Sequence, residues 1–499
     1  MIRNFARASR RAPARSHFVS FPRALLGAAL ALSSASPALA QSARTWTTWV
    51  AELERDAFTV GLAIVDLKSG EMLFEASADR PFKPASTAKL FTTAAALELL
   101  GPEARLETEL RASGPVEGGE LRGDLWAIGW GDPGLQTGFT GADLHARAEE
   151  LAIALRAAGV EKVSGKLVYD GRAFDAERTH PEWPKNDLQY EWAAPVTALS
   201  VGGACVEIAF DRDRKPLLGP PGIVAQVLDR TTKQAKKPSW HAVWLEASQT
   251  WELRGEIPAR GEIAPIRAVD PDPERTWARA LHEGLRRHGI AIEGGIAPAQ
   301  GEAPNGAPLA RSGTPLGELV FRANKDSLNQ PTGCLWKHLG ARFGGGGSWS
   351  GGAKAVAGVL ETWGLSEKAR AQFGVVDGSG LSHANRASAR LLVETLRAAA
   401  QRPWWPAFAV SLPRAGVDGT LADRMREEIY RGRVRAKTGW IGGASALAGT
   451  VLTRGERELG FAVLIEYDRK RQGENRNTIK PAVDRLVRSM IESDERGSR

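Results

Sequence analysis

Ser86 and Lys89 stand three residues apart in Pro84-Ala85-Ser86-Thr87-Ala88-Lys89-Leu90-Phe91. Leu90, Phe91, Ala94, Leu97 and Leu100 recur at helical spacing, and Gly101 ends the run. The spacing predicts a helix with Ser86 in its first turn. There the serine's own N–H belongs to an unpaired helix end, where negative charge is favoured. A lysine three positions on shares that face, so its amine lies near the hydroxyl. Such a pair makes an alcohol nucleophilic without histidine, provided the lysine is neutral. A free lysine titrates at about 10.4, so neutrality at pH 7 takes about 4 kcal/mol of bias from its surroundings. Burial and a second cation nearby would supply it. Alone the pair is weakly diagnostic, because a capping serine with a solvated lysine has the same spacing.

Two later segments supply partners. Ser327-Leu328-Asn329 and Lys437-Thr438-Gly439 follow far downstream, in that order. Each triplet alone is common, the first as a loop or cap and the second as a strand end. The ordered set S-x-x-K, S-x-N, K-T-G is the signature of penicillin-recognising serine enzymes. Other chemistries find less support. The eight histidines are scattered, and no H-E-x-x-H occurs. No G-x-S-x-G is present, which argues against a nucleophile elbow. The glycine-rich stretch 344–352 lacks the lysine–serine pair of a phosphate-binding loop. Cys205 and Cys334 match no metal spacing, and the sequence leaves open whether they pair.

The elements that must position these motifs read as α+β. Residues 59–65 and 71–74 form a hairpin turning at Lys68-Ser69-Gly70, ahead of the Ser86 helix. Residues 434–438, 445–452 and 459–466 form an antiparallel meander with the K-T-G on its first strand. Ala482, Leu486, Val487, Met490 and Ile491 mark a closing amphipathic helix. Further helices fall at 316–322, at 353–363 and around Leu391, Leu392 and Leu396, and residues 375–382 make a tight polar turn.

Residues 105–264 differ in character. They read as strands at 105–112, 125–129 and 162–170, a turn at Gly131-Asp132-Pro133-Gly134-Leu135, and a helix marked by Leu144, Ala148, Leu151 and Leu155. A further hairpin joins 197–201 to 205–210 at Gly202-Gly203. The loop 172–192 carries Phe174, Trp183, Tyr190 and Trp192, aromatics that more often pack than stack on sugar. This stretch is expected to be an inserted accessory region of one or two small modules. It would interrupt a discontinuous domain of residues 42–104 and 265–492, resuming between 265 and 295. Trp277, Leu281 and Leu285 mark a helix there, ended by Gly289.

With its three motifs placed, the chain resembles the D-alanyl-D-alanine carboxypeptidase/endopeptidases of the penicillin-binding protein 4 family. The resemblance also rests on the long gap between the first two motifs, G-D-P-x-L at Gly131 and A-L-S-V at Ala198. D-G-S-G-L-S at Asp377 and G-V-D-G-T-L at Gly416 complete it. It implies a transpeptidase-like domain, with a five-stranded antiparallel sheet between helices, interrupted by a mixed α/β insert. It implies cleavage between two D-alanines of peptidoglycan stem peptides, and often of crosslinks between stems, with no cofactor. Acylation by penicillin and other β-lactams follows from the same resemblance. Residue by residue, it makes Ser86 the acyl-ester nucleophile, Lys89 its proton acceptor and Ser327 a proton relay. Asn329, Lys437, Thr438 and Gly439 bind substrate, with Lys437 and Thr438 on the terminal carboxylate. The backbone N–H groups of Ser86 and Trp440 form the oxyanion hole, and the turn at Asp377 supports the site.

Three positions depart from the family pattern. Gln330-Pro331-Thr332 stands where apolar helix formers usually follow, Trp440 where a small residue is usual, and Gly203-Ala204-Cys205 in place of an asparagine-containing hairpin. Two rival readings remain. A β-lactamase or esterase on this scaffold would need a water-activating element such as E-x-x-x-N, and none is evident. A non-catalytic peptidoglycan-binding envelope protein would not need the intact set of Ser86, Lys89, Ser327, Asn329 and Lys437.

Composition sets outer limits. With 43% hydrophobic and 25% charged residues the chain is an ordinary globular one, and 499 residues suffice for two or three domains. The net charge of +8 owes most to Arg3, Arg7, Arg10, Arg11, Arg15 and Arg23, so no basic surface for nucleic acid follows. Those arginines, the apolar run 25–32 and Ala38-Leu39-Ala40 before Gln41 read as an export signal over residues 1–40. That implies the periplasm or the envelope exterior, by a Sec or twin-arginine route. No later segment is apolar enough to span a membrane.

Overall fold

The expected first hairpin forms as β1 (Thr59–Asp66) and β2 (Met72–Ala76) in the computed structural model, which describes residues 37–134, 142–219 and 226–494. Most of the expected export signal lies outside the described residues, as does Leu135 of the Gly131 turn. Before β1 runs α1 (Pro37–Arg55), whose first turn holds Ala38-Leu39-Ala40. The sequence reading contains no helix there, although Trp46, Trp49, Val50 and Leu53 form a buried stripe at helical spacing.

The other elements that build the site follow in order. They are α2 (Lys89–Leu100), α3 (Leu316–Lys325), α4 (Asn329–Phe343), α5 (Trp349–Thr362) and α6 (Ala389–Ala400). Then come β3 (Val434–Ile441), β4 (Ala444–Leu452), β5 (Glu458–Glu466) and α7 (Lys480–Ile491). Five antiparallel strands pair in the order β3-β4-β5-β1-β2, so the two ends of the chain share one sheet. Thr59 lies opposite Glu466, and Asp66 opposite Leu459. Both faces are covered, which is why these strands read as near-continuous apolar runs. Alternation sorts their side chains. Val60, Leu62 and Ile64 join α1 and α7 in one core, while Ala63 and Val65 join α2 and α6 in the other. No helix among the described residues is long and apolar enough to cross a membrane.

Between α2 and α3 the strands Ile296–Pro298, Leu167–Asp170, Leu125–Gly129, Arg105–Ala112 and Ala310–Pro315 form a second sheet in that order. Helices Ala142–Ala157 and Pro273–Arg287 pack together beside it through Leu144, Leu151, Trp277 and Leu281. Shorter strands between Cys205 and Val269 form two three-stranded sheets around Ile208, Trp251 and Leu253.

Strand pairing corrects three expectations. First, Ala291–Ile292 pairs with Lys162–Val163, and Ala310–Pro315 pairs with Arg105–Ala112. The change of sheet therefore comes at α3, beyond the expected resumption at 265–295. An apolar stripe shows that a helix is buried, but not against which sheet. Second, 197–201 and 205–210 do not pair. Gly202, Gly203 and Ala204 all take positive φ, and Cys205–Phe210 pairs with Pro216–Gly219 and Ile266–Val269. The segment 197–201 is a strap instead. Its Ala198 carbonyl accepts from the Gly131 N–H, and its Ser200 hydroxyl accepts from Gln330 Nε2 on α4. Third, 162–170 is two short strands, Lys162–Val163 and Leu167–Asp170, in different sheets. Cys205 and Cys334 are both free and buried.

Candidate active site

Ser86 lies in a 3-10 turn, Ala85–Ala88, that runs directly into α2. Ala85 has φ 46°, a left-handed value uncommon for a residue with a Cβ. Gly380 packs so closely that a Cβ there would collide with the Ala85 carbonyl. Ser327, between α3 and α4, also takes a left-handed φ of 62°. Such residues cost about 1–3 kcal/mol each and persist where the surrounding structure over-determines them, commonly at active sites.

The Lys89 side chain is fully buried. Its Nζ contacts Ser86 Oγ at 3.0 Å, Asn329 Oδ1 at 2.6 Å and the Ser379 carbonyl at 2.6 Å. Burial brings its pKa down to about 7, against the carboxylate of Asp377, which pulls it up. The expected second cation has no part in this lowering; the nearby amine is Lys437. It too is fully buried, and burial together with the charge on Lys89 holds it well below the ordinary lysine range. Its Nζ donates to Ser327 Oγ at 2.8 Å and to the Thr438 carbonyl at 2.9 Å. Lys437 thus faces Ser327 from inside the protein, where the resemblance expects it on a substrate carboxylate. The Thr438 hydroxyl is more accessible and shares a hydrogen bond of 2.7 Å with the Thr420 hydroxyl.

Asn329 links two parts of the site. Its Oδ1 accepts from Lys89, and its Nδ2 donates to the Trp192 carbonyl at 2.7 Å. Of the aromatics in loop 172–192, Phe174 and Trp183 belong to the core. Tyr190 and Trp192 stack with ring centroids 4.3 Å apart and stay exposed.

The sequence reading misses the Ser379 carbonyl. Its position comes from Asp377, whose buried carboxylate gathers the D-G-S-G-L-S turn. That carboxylate accepts from the N–H groups of Gly380 and Ser382 at 2.8 Å each, from Asn385 Nδ2 at 2.9 Å and from Trp183 Nε1 at 2.7 Å. The motif was legible as a support; the lysine contact made by its backbone was not.

β3 is the edge strand of the sheet. Gly442 and Gly443 close its hairpin on the pair Ile441–Ala444. A two-residue loop closes on a hydrogen-bonded pair, and antiparallel alternation then turns the N–H groups of Thr438 and Trp440 to the free edge. Gly439 sits against the Ser86 turn. A Cβ there would stand 2.8 Å from the Pro84 carbonyl oxygen and 3.1 Å from the Ser86 nitrogen. The glycine therefore serves the strand's own approach to the nucleophile turn. A cavity of about 270 Å³ opens here, lined by Ser86, Ser327, Thr438, Gly439 and Trp440. The residues taken from the three motifs thus meet in one place.

The profile of the D-Ala-D-Ala carboxypeptidase 3 (S13) family matches residues 48–489. The chain belongs to that family. It is 32% identical to the D-alanyl-D-alanine carboxypeptidase of Actinomadura sp. over 481 residues, 91% of this chain and 87% of that protein. It is 25% identical to the D-alanyl-D-alanine carboxypeptidase DacB of Haemophilus influenzae, over 80% of this chain and 83% of that protein. The fold matches the crystal structure of penicillin binding protein 4 (dacB) from Haemophilus influenzae with a TM-score of 0.74. That match has 22% identity and covers 89% of this chain and 99% of the other. The resemblance read from the motifs therefore holds, for the family and for the fold.

Two of this S13 member's departures leave the site intact. Pro331 is the third residue of α4, where a missing N–H has no intrahelical acceptor anyway. Trp440 keeps its ring half-exposed, and its Nε1 donates to the Tyr467 hydroxyl at 2.9 Å.

Proposed function

We propose that this serine peptidase cleaves the bond between two D-alanines at the end of peptidoglycan stem peptides, and D,D-crosslinks between stems, through an acyl-enzyme. The observation that carries the reading is the buried Lys89 amine, 3.0 Å from Ser86 Oγ, with its pKa near 7. A neutral amine has two N–H groups and one lone pair. The two N–H groups suit Asn329 Oδ1 and the Ser379 carbonyl, which leaves the lone pair to accept the Ser86 proton. Ser86 Oγ then attacks the scissile carbonyl, and the N–H groups of Ser86 and Trp440 receive the oxyanion, a contribution of a few kcal/mol. Ser327, hydrogen-bonded to Lys437, relays a proton to the leaving amine. The amine departs as free D-alanine or as the second stem, and water hydrolyses the ester to restore Ser86. Asn329 and the free edge of β3 hold the peptide.

The catalytic domain in this reading is the β3-β4-β5-β1-β2 sheet with its helices. The region from residue 105 to the start of α3 is its insert. The site would work outside the cytoplasm, after export on the leader read in residues 1–40, and β-lactams would acylate Ser86. The Haemophilus influenzae relative has a solved complex with a β-lactam, of TM-score 0.68 and 22% identity to this chain. Incubation with crosslinked muropeptides, read by mass, tests the proposal. Loss of one D-alanine marks carboxypeptidase action, and splitting of dimers marks endopeptidase action. Neither product, together with no stable adduct from a fluorescent penicillin, would end it. Rapid turnover of that penicillin would favour a β-lactamase.

A further inference from the structure

The cavity beside Ser86 wraps around the free edge of β3. Lys437 and Gly439 alternate onto the face that packs on α2, and Gly439 pairs with Ala446 of that core. Thr438 and Trp440 pair with Leu447 and Ser445, and Leu447 belongs to the core under α1 and α7. On that second side Arg424 and Lys480 also line the cavity. Arg424 is already neutralised, since its Nε and Nη2 donate to Asp484 Oδ1 at 2.9 and 2.6 Å. Lys480 has no hydrogen-bond or ion-pair partner among the described residues. Lys480 is exposed on the cavity rim; partial burial, Arg424 and Arg476 disfavour its charge, and Asp484, one helical turn on, favours it. A five-residue π turn, Asn475–Ile479, runs directly into it. Such widened turns displace the following side chains from regular helical register and recur at functional sites.

An ammonium without an ion-pair contact, lining the same cavity as two threonine hydroxyls, suits a carboxylate, which takes charge from one side and O–H donors from the other. Two other side-chain donors nearby are engaged. Lys437 is fully buried against Ser327, and the Trp440 indole N–H is held by Tyr467. We propose that Lys480 binds the free carboxylate at the leaving end of the peptide, with the Thr438 and Thr420 hydroxyls orienting it, and so sets the preference for an acid there. The inference rests on the D-Ala-D-Ala peptidase reading and names a specificity-determining residue for it.

The test compares an acylated D-Ala-D-Ala peptide with its C-terminal amide on the native protein, Lys480→Met and Lys480→Arg. Lys480→Met should cut the acid-over-amide preference in kcat/KM by about ten- to a hundredfold, mainly through KM. Lys480→Arg should keep most of it, and added salt should erode the native preference but not that of Lys480→Met. A merely structural role would lower both substrates alike and would not follow charge. An undiminished preference in Lys480→Met overturns the proposal. Calorimetric binding of both peptides to Ser86→Ala, with and without Lys480→Met, needs no turnover. If the native protein cleaves neither peptide, the peptidase reading fails. Acid-selective binding that disappears with Lys480→Met would still support the carboxylate site, and equal binding by both proteins would sink it.

Discussion

Buried charge is handled in two ways in this fold. Between α2 and α3 the buried carboxylates of Glu109, Asp132, Asp170 and Glu252 each face an arginine, whereas Asp270 has no ion pair among the described residues and burial pushes it up to about 6. Arg111 lies at 2.5 Å, Arg147 at 3.3 Å, Arg172 at 2.7 Å and Arg230 at 2.5 Å. Beside the five-stranded sheet, Lys89 and Lys437 are fully buried, with no carboxylate in ion-pair contact among the described residues. Their neighbours Lys325 and Lys337 are conventional, paired with Asp418 at 2.8 Å and Asp175 at 2.6 Å. The contrast separates structural from chemical burial. An arginine partner offsets part of the cost of burying a carboxylate. An unpaired amine in the same low dielectric gives up its proton near neutral pH and becomes a base.

The largest expected effect is on chemistry. Ser86→Ala and Lys89→Met should each slow β-lactam acylation by at least about a thousandfold. Mass spectrometry of the adduct reads this directly, and a labelled Ser86→Ala protein would break the assignment. Stability should divide the two regions the other way. Arg147→Met leaves Asp132 buried without its partner and should cost about 3 kcal/mol in urea unfolding, with acylation retained. Lys89→Met replaces a buried, unpaired amine and should leave stability unchanged or raise it by about 1 kcal/mol. Equal losses in the two variants would erase the distinction.

The pH dependence sharpens the same comparison. Lys89 must be neutral to accept a proton, so the acylation rate should rise with pH through about 7 and then level. An unfolded lysine titrates at 10.5, against about 7 for Lys89 when folded. The unfolded chain therefore binds more protons over that window, and this residue's contribution makes stability rise with pH across it. A flat acylation profile between pH 5 and 9 would count against Lys89 as the base. The smallest effect belongs to the cavity rim. Tyr467→Phe removes one hydrogen bond from a half-exposed indole and should cost less than about 1 kcal/mol by thermal unfolding.

Much of the catalytic sheet and its site was legible because its signals are local. The Ser86 turn, the β1–β2 hairpin, the meander ending at Glu466 and the closing helix each carry a period, a glycine turn or a motif within a few residues. The region between α2 and α3 was less legible because several of its short strands pair at long range. Residues 205–210 alternate as a strand should, yet nothing near them reveals a partner at Ile266–Val269. The Ser379 carbonyl left no mark either, since any residue has one.

The chain's own order of residues determined which side chains are available for the proposed chemistry, because S-x-x-K, S-x-N and K-T-G specify atoms whose reactivity depends on type and spacing. Only the tertiary structure decided their protonation and their partners. It turned Lys437 onto Ser327, brought a distant carbonyl to Lys89, and left Lys480 without an ion pair among the described residues on the cavity rim. The contacts of Lys89 and Lys437 arise between segments far apart in sequence, so no local pattern encodes them.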